Sequence, residues 1–150
     1  MQVIDYFNCD RPEHWLCQIG KSDWGAGQYL YELLRENKLK NVVGENAKVL
    51  MLINENELIS FCTYAEKDDI QPTELTPWIG FVYTFPEYRG HRYMGHLFQE
   101  IEKLAKAEQV HDIFISTNHT GLYEKYGCEF YQMMNDMNGE LSRVYRKHVN

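Results

Sequence analysis

Between two apolar strand-like runs, Trp78–Phe85 and Asp112–Ser116, lies a helix whose side chains Met94, Leu97, Phe98, Ile101, Leu104 and Ala105 fall on one stripe. A strand, a helix and a second strand in this order close most readily as a right-handed crossover between parallel strands. The helix must then cover one face of the sheet, and other elements must cover the opposite face. No other feature of the chain restricts its fold as much.

The remaining segments extend that unit with antiparallel pieces. Gln2 to Phe7 alternates as an opening strand. Asp10-Arg11-Pro12-Glu13 has the pattern of a helix start, an acidic residue three positions ahead of Glu13 with proline in the first turn. Trp15, Leu16 and Ile19 give that helix an apolar face, and Tyr29, Leu30, Leu33 and Leu34 predict a second one. Lys48–Ile53 and Leu58–Tyr64 flank the polar turn Asn54-Glu55-Asn56-Glu57 and read as a hairpin. A short helix around Leu122–Tyr126 should end at Gly127 in the left-handed conformation. Phe130–Met134, the Asn138-Gly139 turn and Ser142–Tyr145 form a closing hairpin. The prediction is an α/β fold over residues 1–150 as one domain, a mixed and mostly antiparallel sheet with helices on both faces.

Composition narrows the function. The chain has 150 residues, 44% apolar and 14% aromatic, enough for a real core. Basic residues number 15 against 22 acidic ones, a net charge of −7, which argues against nucleic acid or an anionic membrane surface as the main partner. That charge suits a cationic acceptor, or simply solubility. Met1 to Asp10 carries no signal-peptide pattern, and no apolar run approaches a membrane span. Cys9, Cys17, Cys62 and Cys128 form no CxxC pair, so free thiols in a reducing cytoplasm are expected, with no metal site.

Chemistry concentrates in two blocks. The first, Pro86-Glu87-Tyr88-Arg89-Gly90-His91-Arg92-Tyr93-Met94-Gly95, opens the crossover helix. Helix N-termini carry partial positive charge and usually gather acids, whereas this one gathers Arg89, His91 and Arg92. Either an anion such as a pyrophosphate sits there, or the loop is a solvated basic surface. The second block is Ser116-Thr117-Asn118-His119-Thr120-Gly121-Leu122-Tyr123-Glu124-Lys125-Tyr126-Gly127.

Together these blocks resemble the GNAT acetyltransferases, over about Trp78 to Phe130. Thr84-Phe85-Pro86-Glu87-Tyr88-Arg89-Gly90 is similar to the V-x-P-x-x-R-G entry of that family's acetyl-CoA loop. Anchored at Arg89, the family signature Q/R-x-x-G-x-G/A places Arg92 and Met94 at the two glycine positions, with Gly95 one residue late. The second block resembles the family's "lYeklGF" segment, in which Tyr123 matches the tyrosine beside the thioester sulfur. The resemblance implies an acetyl-CoA-dependent N-acetyltransferase that moves the acetyl group directly to a primary amine of a small molecule or peptide. It assigns the coenzyme to Val82, Tyr83, Thr84, Arg89, Gly90, His91, Arg92, Tyr93, Met94, Gly95 and Asn118, and the protonation of the leaving thiolate to Tyr123. The alternative is a non-catalytic acyl-CoA-binding or sensing module of the same fold. A homodimer is left open.

Several residues keep two readings. Asn118 either orients the coenzyme arm or caps the short helix with Thr120. Gly80 marks a bulge, a close ligand approach or plain small-residue packing. His119, His111 and Glu74 are candidate bases or surface residues, and Trp15, Trp24, Tyr29 and Trp78 either line an acceptor pocket or fill the core. GxSxG, HExxH, GxxxxGK[ST] and GxGxxG are absent from the sequence.

Overall fold

The computed structural model describes residues 1–150. Its strands are β1 (Gln2–Asp5), β2 (Lys48–Asn54), β3 (Glu57–Ala65), β4 (Trp78–Thr84), β5 (Asp112–Thr117), β6 (Cys128–Asn135) and β7 (Leu141–His148). They form one sheet in the order β1-β2-β3-β4-β5-β7-β6. Only β4 and β5 run parallel, and the crossover between them is α4 (Met94–Ala107), as the sequence required.

Both faces of the sheet are covered. Helices α1 (Pro12–Ile19), α2 (Gly25–Arg35) and α3 (Leu39–Val43) pack with Val49, Met51 and Ile53 of β2 on one side. On the other side α4 packs with Leu50 and Leu52 of the same strand. Two covered faces explain why Lys48–Asn54 reads as a nearly unbroken apolar run instead of an alternation. Helix α4 buries Met94, Leu97, Phe98, Ile101 and Ala105, and each large apolar side chain contributes roughly 1.5–3 kcal/mol.

Some local expectations give way to competing bonds. The opening strand stops at Asp5, whose carboxylate accepts the N–H of Phe7 (3.2 Å) and of Val49 (3.3 Å) and bends the chain into a 3₁₀ turn. Asp10 does not cap α1. Arg11 holds the N-cap position without a side-chain bond, and its guanidinium reaches Asn56 (2.7 Å). The five-residue helix α3 is too short for its periodicity to be read. The segment after β5 is a single 3₁₀ turn, Tyr123–Tyr126, which Gly127 ends at φ +86°. Leu122 occupies its N-cap position with no side-chain bond, so Asn118 and Thr120 do not cap it.

The site is created by an interruption of the sheet. β4 and β5 share register only at Trp78↔Phe114 and Ile79↔Ile115, although β4 runs on to Thr84 and β5 to Thr117. A register shift against β3 lies between Phe61 and Thr63, opposite the Gly80–Tyr83 stretch of β4, where Phe81 takes φ +51°. Beyond Ile79 the two strands diverge, and a cleft of about 950 Å³ opens between them.

Candidate active site

The cleft has two chemically different ends. At one, Arg89, Gly90, Arg92, Tyr93 and Met94 meet the outer half of β4. Toward the other, Asp68 and Asp69 of the β3–β4 loop line the cleft, Asp68 against Gly80 and Tyr29 over the adjacent Phe81, while Asp23 and Trp24 stay beside Tyr83. Asp136 and Glu140, from the β6–β7 turn, also line that end. Tyr123 lies on the wall of the cleft.

The first end is built for an anion. The N–H groups of Gly90, His91, Arg92, Tyr93 and Met94 donate to no protein acceptor, the first loop bond after Arg89 being Gly95 N–H to Arg92 O (3.0 Å). The first turn of α4 contains no acid, and its N-cap residue Tyr93 makes no side-chain cap. A run of unfilled amides at a helix N-terminus, beside the guanidinium of Arg92, is suited to phosphate oxygens. Gly90 at φ +86° and Arg92 at φ +57° shape this loop. Arg92 therefore adopts a left-handed conformation that glycine would take freely, at about 1–2 kcal/mol of strain. Met94 at the second glycine position turns its side chain into the core.

Most of the predicted coenzyme residues line the cleft: Val82, Tyr83, Thr84, Arg89, Gly90, Arg92, Tyr93, Met94 and Asn118. His91 and Gly95 do not. The His91 ring stacks on Tyr93 at 5.2 Å, leaving only its amide to the loop. Gly95 lies within α4 against Tyr126, with room for a Cβ and no positive φ, so it supplies no freedom that Arg92 and Met94 lack. Arg89 folds back, donating to Thr84 O (2.9 Å) with its guanidinium 5.4 Å from the Tyr83 ring. Phe85 N–H goes to Ile59 O (3.0 Å), so by the alternation of an antiparallel ladder the Thr84 N–H turns away from β3 toward the cleft.

Tyr123 is 5% exposed, with Phe98 edge-on at 6.2 Å and Tyr145 at 6.5 Å. Burial raises its phenol well above the ordinary range, so it stays protonated at neutral pH. Lys147 of β7 fixes the end of its turn. The ammonium donates to Tyr126 O and pairs with Glu102 of α4 at 3.3 Å.

Asp68 is the residue that sequence reading missed. A Cβ on Gly80 would lie 2.0 Å from Asp68 Oδ1, so the carboxyl fills the space that the glycine leaves open. Desolvation, followed by the charge of Asp69, holds this carboxyl well above the usual range. A carboxyl so perturbed in a cleft is suited to take a proton near neutral pH. Gly80 was the only signal, and its close neighbour proves to be the chain's own acid. Of the sequence candidates, His119 lines the cleft, whereas exposed Glu74 and His111 lie outside it.

The aromatic candidates divide in the same way. Trp15 and Trp78 are core residues, 3% and 0% exposed. Trp24 and Tyr29 reach the cleft, Trp24 stacked on Tyr83 at 5.7 Å and Tyr29 tilted over Phe81 at 6.1 Å. Tyr83 in turn donates to Asp23 Oδ1 (2.6 Å).

The mixed sheet with one parallel pair and a crossover helix has the fold of solved acetyltransferases. The chain belongs to the acetyltransferase (GNAT) family, whose model matches residues 7–132. No curated protein matches it. Among solved structures, aminoglycoside 6′-acetyltransferase type Ii is 14% identical with TM-score 0.71, covering 100% of this chain and 98% of its own. An aminoglycoside 6′-N-acetyltransferase complexed with coenzyme A is 11% identical with TM-score 0.69 and the same coverage. An acetyltransferase from Streptococcus agalactiae is 18% identical with TM-score 0.63, covering 99% and 98%. At such identities the likeness concerns the fold.

Proposed function

We propose that this chain is an acetyl-CoA-dependent N-acetyltransferase that moves the acetyl group directly to a primary amine. One observation carries the reading: the unfilled amides of Gly90–Met94, the buried phenol of Tyr123 and the enclosed carboxyl of Asp68 all border one split in the sheet. The amides and Arg92 would hold the diphosphate, and the free lip of β4 would pair with the pantetheine arm as an added strand. Asp68 takes a proton from the ammonium form of the acceptor. The neutral nitrogen attacks the thioester carbonyl, a C–N bond forms, the C–S bond breaks, Tyr123 protonates the departing thiolate, and the second proton lost by the nitrogen returns through water to the phenolate. Binding both reactants in one cleft makes the attack effectively unimolecular.

The left-handed backbone at Arg92 bears on the non-catalytic alternative. Arg92 takes a positive φ open to glycine, and Met94 turns into the core, which supports a binding-competent loop despite the altered signature. All four cysteines are free, in keeping with a cytoplasmic protein, and no helix is long and apolar enough to cross a membrane.

Coenzyme A should raise the melting temperature, more than dephospho-CoA does if side chains hold the 3′-phosphate. Acetyl-CoA with an amine panel should then release free thiol. No shift at millimolar coenzyme would refute the binding site, and a shift without thiol release would leave the sensing module.

A further inference from the structure

We infer that the acceptor is a small polycation carrying a second ammonium group beside the one acetylated. The inference rests on the N-acetyltransfer reading and names the substrate class of the same cleft.

Charge is sorted along the cleft. Its arginines, Arg89 and Arg92, stand at the amide cradle, with Asp23 near them through Tyr83, while Asp68, Asp69, Asp136 and Glu140 gather where the β3–β4 loop meets the β6–β7 turn. Arg89 and Arg92 are the only Lys or Arg side chains among the residues lining the cleft. Elsewhere Glu32, Glu36, Glu100, Glu102, Glu129 and Asp112 pair with neighbouring cations. None of the four clustered carboxylates does.

The two acidic sides are held at a fixed spacing. Met137 N–H donates to Asp69 O (2.8 Å), tying the β6–β7 turn to the loop that carries Asp68. Asp136 Oδ1 accepts the N–H groups of Asn138 (2.8 Å) and Glu140 (3.0 Å), so the turn itself is rigid. Crowding Asp69, Asp136 and Glu140 around the desolvated Asp68 without a counter-ion is unfavourable for the free protein. A cationic ligand relieves it.

The reaction says how many cations. The attacking nitrogen must be neutral, so it cannot keep an ion pair through the bond-forming step. Asp68 suffices to remove its proton. The carboxylates across the mouth therefore have no use for the reacting nitrogen, but they can hold a non-reacting ammonium throughout, where binding energy assists the transition state. The exposed Tyr29 and its neighbour Phe81 offer ring faces to the same cation or its carbon chain. An acceptor with its own carboxylate, such as a free amino acid, would meet repulsion here.

Thiol release from acetyl-CoA tests this with butylamine and 1,4-diaminobutane, which share a carbon chain and differ by one ammonium. Spermidine and kanamycin separate flexible from amino-sugar polycations, and an N-acetyllysine amide reports on a lysine side chain with neutral flanks. The diamine should exceed butylamine in kcat/KM by roughly tenfold or more, and by less at high salt. In a D136N/E140Q variant, which keeps the amide-accepting oxygen of the turn, that ratio should fall toward one. A variant still stabilised by coenzyme A is folded, so its ratio can be read. Butylamine or the lysine amide matching the diamine, or a ratio untouched by D136N/E140Q, overturns the inference while leaving acetyl transfer intact. Bound coenzyme with no thiol released by any amine overturns the transfer reading, and this inference with it.

Discussion

Arg92 allows charge and backbone geometry to be measured separately. Arg92→Ala removes the guanidinium and leaves a Cβ at φ +57°. Arg92→Gly removes both. If the guanidinium contacts phosphate, each variant should lose roughly 1.5–3 kcal/mol of coenzyme affinity, about ten- to a hundredfold in Kd. The loss should shrink as salt rises, since Arg92 is exposed and forms no ion pair in the free protein. Stability should separate the two. Glycine relieves about 1–2 kcal/mol of left-handed strain but gives back about 0.4–1 kcal/mol in unfolded-chain entropy. The net gain over alanine is then about 1 kcal/mol, a Tm higher by about 2–4 °C in a domain of this size. Calorimetric titration with coenzyme A at two salt concentrations, and melting curves of both variants, read these quantities. Wild-type affinity in both variants would show that the side chain does not reach the ligand. A glycine variant less stable than the alanine variant would refute the strain argument.

Tyr123→Phe should retain coenzyme binding but lower kcat and kcat/KM by roughly 10²–10⁴, and unchanged turnover with chemistry rate-limiting would exclude the phenol as the acid. Because burial raises this phenol, the alkaline limb of the wild-type pH–rate profile should lie above about pH 10, its ordinary value. The raised carboxyl of Asp68 places the acid limb above the usual carboxylate range, near 4. Its folded value exceeds its unfolded one, so its contribution to stability is full below the unfolded value and is lost as pH rises toward the folded one. Asp68→Asn should therefore abolish that limb and slow turnover, yet raise Tm at neutral pH and not at pH 3; an unchanged Tm at both would contradict the burial argument. Gly80→Ala drives a methyl into the Asp68 carboxyl and should reproduce the activity loss of Asp68→Asn, whereas full activity would show that the carboxyl can act from elsewhere. Lys147→Met leaves Tyr126 O and Glu102 without their cation and should lower Tm by the equivalent of about 1–3 kcal/mol in a melting experiment; an unchanged Tm would show that water replaces the ammonium.

Elements whose periodicity runs over several turns or residues were legible in the sequence. The α4 stripe, the two-faced β2 run and the closing hairpin each follow from local pattern, and together they fix the crossover. Five-residue α3 carries too little period to read. Asp10 looked like a cap because its spacing to Glu13 is right, but the chain starts the helix one residue later at Arg11. The anion-binding end of the site was legible because it is one continuous segment, Arg89–Met94. The acidic end was not. Asp68 matters only because β4 passes beneath it at Gly80, and Asp136 only because the β6–β7 turn bonds to Asp69. Those contacts join segments far apart in sequence, where no local spacing betrays them. Likewise the return of Arg89 to Thr84 O and Tyr83 is a side-chain choice that the motif does not specify.

The gap between β4 and β5 also has a mechanical meaning. Two register pairs, Trp78↔Phe114 and Ile79↔Ile115, are the only rungs in the sheet between its four-stranded and three-stranded portions. Elsewhere the portions are joined by the connecting chain, by packing around α4 and of Ile70 and Trp78 on Phe114 and Val144, and by the bonds from Phe114 to Pro77 and from Met137 to Asp69. A ligand arm lying in the gap with bonds to the free lip of β4 would act as a missing rung. The empty protein would then behave in hydrogen exchange as two units with separate opening events, β1–β4 more independent of β5–β7. Filling the gap would merge them into one cooperative body, and this small protein would then complete its sheet only with a ligand in place.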